Sequence, residues 1–342
     1  MKVEAFAPAK VILFGEHYVV YGADGIACGI TPYNKIVLQT HEDGPAFERE
    51  DGLGRLKIWE DGKVECPDAL KPAAEAYFAA KEKWPEIGNL RIRADYSKVW
   101  GLKGVGNSAS LASALAAGLA KLAGKEASAQ ECFEVAQRSD KVAHGGSPSG
   151  IDAAAVSYGG PVTARKIFGA AIAYDFGKAK FGEAEGWEFL IVDTMKAGVV
   201  KASTAGQIAK FAKINGIAKK PEELSDVERA DVCKDYAPVS KKALSALASA
   251  DMESVARLMN ENQKMLADGG ASSEGIEEAV GIALDNGAEG AKLSGAGGEG
   301  GAVLALCKKE KVADVEKALL EAGCKSYPFR ISDKGAHAKK SG

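Results

Sequence analysis

Three glycine-rich stretches hold the residues of this 342-residue chain whose types and spacing could do chemistry. The first, GLKGVGNSAS at 101–110, runs at once into an alanine and leucine pattern that predicts a helix from about 108 to 122. Glycines let backbone approach a ligand closely, and a helix start offers unpaired N–H groups and a positive dipole end. A polyphosphate suits such a place. Ser108 stands at the helix start, where its hydroxyl either caps the helix or meets a magnesium ion. A plain strand–turn–helix connection is the other reading, and no Lys-Ser/Thr follows the glycines as in a P-loop. The second stretch, HGGSPSGID at 144–152, ends on Asp152. Glycine, serine and proline build no core, so a fixed shape here speaks for function. Asp152 suits taking a proton from a hydroxyl, or holding that hydroxyl in line with phosphorus; the alternative is an N-cap for the next helix. The third, GAGGEGG at 295–301, leaves only Ala296 and Glu299 with side chains. That much glycine before an apolar run costs chain entropy, which favours close contact with a ligand or another backbone over a bare hairpin turn.

The elements that must position these loops are readable in outline. Strand-like runs fall at 10–14, 25–30 and 35–39, and Leu70, Ala73, Tyr77, Ala80 and Trp84 mark a helix with Pro72 in its first turn and Pro85 closing it. Leu90, Ile92 and Ala94 alternate as in a half-buried strand. Ser128 and Glu131 form a capping box that opens another helix. The character changes near 159–161. Beyond it, 189–193 and 302–307 read as strands, 255–266 and 276–284 as helices, and a helix with Val312, Val315 and Leu319 stops at Gly323. The tail from Ser332 onward reads as frayed.

Composition bounds the rest. Hydrophobic residues make up 46% and charged residues 27%, with a net charge of −3, so nothing in bulk points to nucleic acid or an anionic membrane. No apolar run approaches the ~18 residues of a membrane span, and the first residues lack the apolar core of a signal peptide. The six cysteines lie far apart, never as Cys-x-x-Cys, which excludes a zinc framework and reads as reduced thiols in a cytoplasmic protein. His41 and His337 read as surface residues.

In order and spacing these loops resemble the motifs of the galactokinase–homoserine kinase–mevalonate kinase–phosphomevalonate kinase (GHMP) superfamily. The mevalonate kinases within it are the nearest likeness. The opening PAKVILFGEHYVVYG at 8–22, with Gly15, Glu16 and His17 followed by Tyr18, Val19, Val20 and Gly22, is similar to theirs, as are 104–110, 144–152 and 292–301, KLSGAGGEGG. The segment 258–263, LMNENQ, also looks like a helix of that family.

The resemblance implies an α+β fold of two domains with a nucleotide and substrate cleft between them. Residues 1–160 would be the N-terminal ATP-binding domain and 161–331 the C-terminal domain, with 332–342 a tail. It implies ATP-dependent phosphorylation of the C5 hydroxyl of mevalonate with Mg2+, in isoprenoid biosynthesis. Asp152 then matches the catalytic aspartate and Lys10 the lysine that activates the hydroxyl and neutralises the phosphate in transit. Glu16, His17, Ser149 and Gly150 fall at the substrate end. Gly104, Val105, Gly106, Asn107, Ser108, Ala109, Ser110, Gly295, Ala296 and Gly297 bind ATP, and Ser108 and Asp140 meet the metal. A solvated strand-end charge for Lys10 and a hydrogen-bonded core residue for His17 are the plain alternatives.

Departures stand out: Asn107 where serine is common, Asp140 for glutamate, an extra residue between His144 and Pro148, and Glu299 inside the third loop. Asp193, Thr194, Ser203 and Thr204 resemble a substrate segment at stretched spacing and receive no role. The rival readings are a related kinase acting on phosphomevalonate, on the 3-hydroxyl of mevalonate or on a sugar, then a decarboxylase of the mevalonate-diphosphate type, then a silent ATP sensor. A phosphorylated acceptor would call for more basic residues around the cleft. The partner implied is a small molecule, without nucleic acid or membrane; the oligomeric state stays open, a homodimer included.

Overall fold

The structure, a computed structural model, describes residues 1–51, 54–95, 102, 104–146, 148–182, 184–196, 199–200 and 202–341. Two long strands dominate its first half, each longer than its sequence signal. β1 (Lys2–Phe14) and β2 (Gly25–Thr40) pair antiparallel with register shifts at Pro8/Ala9 and Ile12/Phe14. At the first of these β2 carries two extra residues, Thr31 and Pro32, and neither Pro8 nor Pro32 has an N–H to give the ladder. Around them lie β3 (Phe47–Asp51), β4 (Gly54–Ile58), β5 (Val64–Glu65), β6 (Leu90–Asp95), β7 (Pro161–Ile167) and β8 (Ala173–Lys178). β6 joins β2, β3 runs parallel to β6, β7 pairs with β2, and β8 with β7.

Four helices pack against this sheet and one another: α1 (Lys71–Lys83), α2 (Asn107–Leu122), α3 (Ala129–Ala143) and α4 (Ile151–Tyr158). α2 is buried on almost every side, as a helix apolar all round should be. Its small residues let it lie close to the strands: a Cβ on Gly118 would stand 2.4 Å from Leu38 Cδ1. Both bonds of the Ser128–Glu131 capping box open α3.

A second sheet, in the order β10 (Ala288–Ser294), β11 (Ala302–Lys308), β9 (Trp187–Asp193), β12 (Lys325–Phe329), is antiparallel throughout. The helices of this half are α5 (Thr204–Ile214), α6 (Asp226–Cys233), α7 (Tyr236–Ala248), α8 (Met252–Asp268), α9 (Glu274–Asp285) and α10 (Val312–Glu321). α8 and α9 cover β10, and α7 packs on α8.

Two expectations need correction. The boundary at 160 cuts through the first sheet, because β7 and β8 extend it to Lys178. The tail does not fray: β13 (His337–Lys340) pairs with residues 3–6 of β1, and the His337 ring stacks on Phe6 at 5.4 Å. Charge and brevity make the tail look unstructured, but the open edge of β1 supplies the ladder it needs. Five cysteines are buried and Cys66 is half-buried, all with free thiols. No helix among the described residues is long and apolar enough to cross a membrane.

Candidate active site

β1 delivers Lys10 into the space between the glycine loops. Its amide donates to Val105 O at 2.9 Å, tying the strand to the first loop. Its ammonium meets Asp152 Oδ1 at 2.9 Å. Asp152 does not cap a helix: Gly150, at φ +82°, is the N-cap of α4 and Asp152 is the second helical residue, turned toward Lys10. The lysine side chain is 3% exposed and the aspartate 17%, so the pair sits in the wall with its carboxylate reachable. The cleft it faces has a volume of about 330 Å³ and is lined by all three loops. Gly106 packs against the lysine stem, where a Cβ would stand 2.6 Å from Lys10 Cγ. Glycine is required there twice over, since the backbone is also left-handed at φ +72°.

The candidate ATP residues divide by what their side chains do. Gly104, Gly106, Asn107, Ser108, Ala109, Gly295, Ala296 and Gly297 line the cleft. Gly106, not Ser108, is the N-cap of α2, which leaves the Ser108 hydroxyl exposed and uncommitted to capping. Val105 is buried and bonded through its carbonyl to Lys10. The Asn107 side chain donates to Leu102 O at 2.8 Å and accepts from Asn34. Ser110 accepts from Asn34 and donates to Ala7 O at 3.1 Å. Asn107 and Ser110 thus brace the loop from behind, and what they can offer a ligand is backbone. Gly101, Lys103 and Ser147 lie outside the described residues.

At the other end, Ser149 lines the cleft, while Gly150 packs on Tyr174, where a Cβ would be 2.7 Å from Cδ1. His17 is 5% exposed, with φ +62°, a strained conformation for a residue with a Cβ. It is held by stacking on Phe211 at 4.8 Å and by a 2.9 Å bond between Nε2 and Ala296 O. A carbonyl only accepts, so Nε2 carries the hydrogen and Nδ1 is a bare acceptor, without a partner among the described residues. Burial drives the ring's pKa down to about 4, against the weaker opposing pull of Ala296 O. Glu16 also lines the cleft, but its side chain is wholly enclosed, with Oε1 taken by Lys292 and Oε2 without a partner among the described residues.

Asp140, on α3, is 2% exposed, and its Oδ2 has no partner among the described residues. Burial first, then the charge of Asp152, push its carboxyl well above the ordinary range, with Lys10 opposing. An orphaned carboxylate oxygen beside another carboxylate fits a cation between them. The described residues hold no cluster of three or more His, Cys, Asp or Glu suited to a metal. A magnesium ion needs none, because it takes one or two protein oxygens and fills its shell with phosphates and water.

Matches to family models fall on both halves of the chain: GHMP kinases N terminal domain over residues 71–160, and GHMP kinases C terminal over 243–325, together just over half of it. The chain belongs to the GHMP kinases. A mevalonate kinase of Aeropyrum pernix is 28% identical over 341 residues, covering 98% of each chain. Among solved structures, the mevalonate kinase of L. major in complex with R-mevalonate superposes with a TM-score of 0.74 at 24% identity over 96% of each chain. The galactokinase of Lactococcus lactis, complexed with galactose, gives 0.76 at 18% identity over 99% of this chain and 95% of its own. Such likenesses establish the two-domain α+β kinase fold.

In this GHMP kinase the sequence left several wall residues without a role. Thr204, in the first turn of α5, and Ile208, one turn on, both line the cleft; the Ser203-Thr204 resemblance was the signal. Thr194 is buried instead, donating to Gly301 O at 2.6 Å. His144 lines the cleft too, its pKa lowered by burial against the nearby Asp152. Glu299 is not among the residues that line the cleft. Its side chain is exposed and its carboxylate lies toward Gly275, in the first turn of α9, where a negative charge is favourable.

Proposed function

We propose that this kinase transfers the γ-phosphoryl of ATP to the C5 hydroxyl of mevalonate. The observation that carries the reading is the Lys10–Asp152 pair, 2.9 Å apart and facing the cleft between glycine loops. Phosphoryl transfer needs little covalent help, so positioning and charge neutralisation dominate. Loop amides at 104–109 and 295–297, with the first turn of α2, hold the triphosphate. An apolar cavity of about 430 Å³ shares Asn107 and Ser108 with the cleft and is lined by Ile36, Phe47, Leu102 and Leu111; it suits the base. Asp152 orients the acceptor hydroxyl and receives its proton, while Lys10 offsets charge on the attacking oxygen and on the phosphoryl group in transit. Asp140 and Ser108 would hold magnesium, which when bound neutralises phosphate charge.

Val19, Val20 and Ile208 give the acceptor end its apolar wall, and Ser149 and Thr204 its hydroxyl donors, a mixture suited to a short branched hydroxy acid. Among the described residues lining the cleft, Lys10 is the only lysine or arginine, which argues against an acceptor already phosphorylated. The names of the Aeropyrum pernix relative and the L. major complex support the same acceptor. A coupled ADP-release assay with mevalonate, phosphomevalonate, homoserine and galactose tests it, the product being read by NMR. The expected result is one ADP per mevalonate with phosphate on C5. Turnover with another alcohol and none with mevalonate would sink the assignment.

A further inference from the structure

The buried pair between Glu16 and Lys292 is used by none of the steps above. Both side chains are wholly enclosed, at 0% exposure. The Lys292 ammonium donates to Glu16 Oε1 and, at 2.7 Å, to Leu293 O, while Glu16 Oε2 has no partner among the described residues. We infer that this pair is a positioning device for phosphoryl transfer, holding the third glycine loop in register with the strand that carries Lys10. The inference rests on the kinase reading of the cleft.

Its place in the chain supports that role. Lys292 sits on β10, three residues before Gly295, and Glu16 follows β1, six residues after Lys10. Two other links join the same segments. The Ser294 hydroxyl accepts from Ile12 N at 3.0 Å and donates to Ile12 O at 3.1 Å. His17 donates to Ala296 O. Residues 12, 16 and 17 thus grip 294, 292 and 296, so the loop lining one side of the cleft is fixed against the strand lining the other.

Energetics separate this from a plain stability role. Taking two charges out of water costs several kcal/mol per ion, and a well-packed apolar pair of similar volume is often as stable or more so. Burial accordingly pushes Glu16 up and Lys292 down, each charge opposing the effect on the other. What an apolar pair lacks is direction. Charge-assisted hydrogen bonds fix one geometry, and a misplacement of ~1 Å at a reacting centre costs on the order of 10²-fold in rate. Glu16 is therefore a positioning residue acting through Lys292 and the loop.

The test replaces both members by apolar residues, Glu16→Leu with Lys292→Met, in the full chain. The expected variant melts at or above the wild-type temperature and binds ATP within about threefold of wild type, while kcat falls ~10²-fold. The ratio of ADP released to alcohol phosphorylated should also rise above one, because a misaligned γ-phosphoryl is lost to water. A folded double variant with wild-type kcat and a ratio of one would overturn the inference. If that variant does not fold, Lys292→Arg keeps the charge and alters its reach. It should lower kcat by about tenfold at unchanged ATP affinity, and unchanged kcat would overturn the idea equally. The ratio is read with whichever alcohol the wild type phosphorylates, so a wrong acceptor fails on the wild type and a wrong role for the pair fails on the variants.

Discussion

Two lysine–carboxylate pairs, both reaching from the β1 segment, differ in what they face. Lys10–Asp152 opens onto the cleft, with the aspartate 17% exposed, and Glu16–Lys292 is sealed at 0% on both sides. An open pair can exchange its partner for a substrate atom at little cost. A sealed one cannot, and acts only through the backbone it holds. On the proposed reading identical chemistry serves transfer in one place and register in the other, with burial deciding which.

The largest effect should come from the open pair. Asp152→Asn keeps the size and removes both the charge and the proton acceptor, so kcat should fall about 10³-fold. ATP affinity, measured by calorimetry, should stay within about threefold, since the proposed reading has loop amides hold the phosphates. Near-normal turnover would erase the contrast between the pairs.

Next comes His17, which lies beside the sealed pair. Its folded pKa is near 4, against 6.5 for the free side chain. The unfolded chain therefore binds the proton first, and the stability tied to neutral His17 is complete above pH 6.5 and drains away as pH falls toward 4. A shift of that size amounts to about 3 kcal/mol. Urea unfolding of wild type and His17→Gln across pH 7.5 to 4.5 isolates it: the wild type should lose stability faster on acidification. Parallel curves would show that the ring is not sealed.

These contrasts were unevenly legible beforehand. The loops were readable because glycine at fixed spacing, followed by small residues, leaves few alternatives, and the motif likeness joined Lys10 to Asp152 across 142 positions. Helix starts were readable where a cap is local, as at Ser128–Glu131. Partnerships set by distant chain were not. The tail found β1 more than 300 residues away, β7 turned back to β2, and Asn34 reached Ser110 behind the first loop. Glu16 was assigned to substrate by its motif, and nothing in the local pattern announced Lys292 as its partner. A buried ion pair between remote segments has no periodicity of its own.

Gly106→Ala probes the open pair through its stem. The added methyl would meet Lys10 Cγ at 2.6 Å at a backbone φ of +72°, so either the loop or the lysine must move. A loss of about 10²-fold in kcat is expected, with the melting temperature lowered. Gly275→Ala, outside the residues that line the cleft, would bring its Cβ no nearer than 4.0 Å to Glu299 Oε2 and serves as the control. Full activity in Gly106→Ala would mean that the open pair tolerates displacement, and so does not work by position.

Glu299 should matter least. By sequence alone its charge falls among the glycines that face phosphate, and repulsion would be the natural forecast. In the fold its backbone carbonyl accepts from Ala202 N at 3.2 Å, and its carboxylate turns to the first turn of α9, outside the residues that line the cleft. Exposed charges beyond about 10 Å are largely screened at ordinary salt, and a carboxylate at a helix N-terminus is mildly stabilising. Glu299→Gln should leave the KM for ATP within about twofold and lower the melting temperature slightly. A several-fold fall in that KM, strongest at low salt, would mean that the carboxylate reaches the phosphates after all, and the third loop would then carry a charge of its own into the open site instead of only being held from behind.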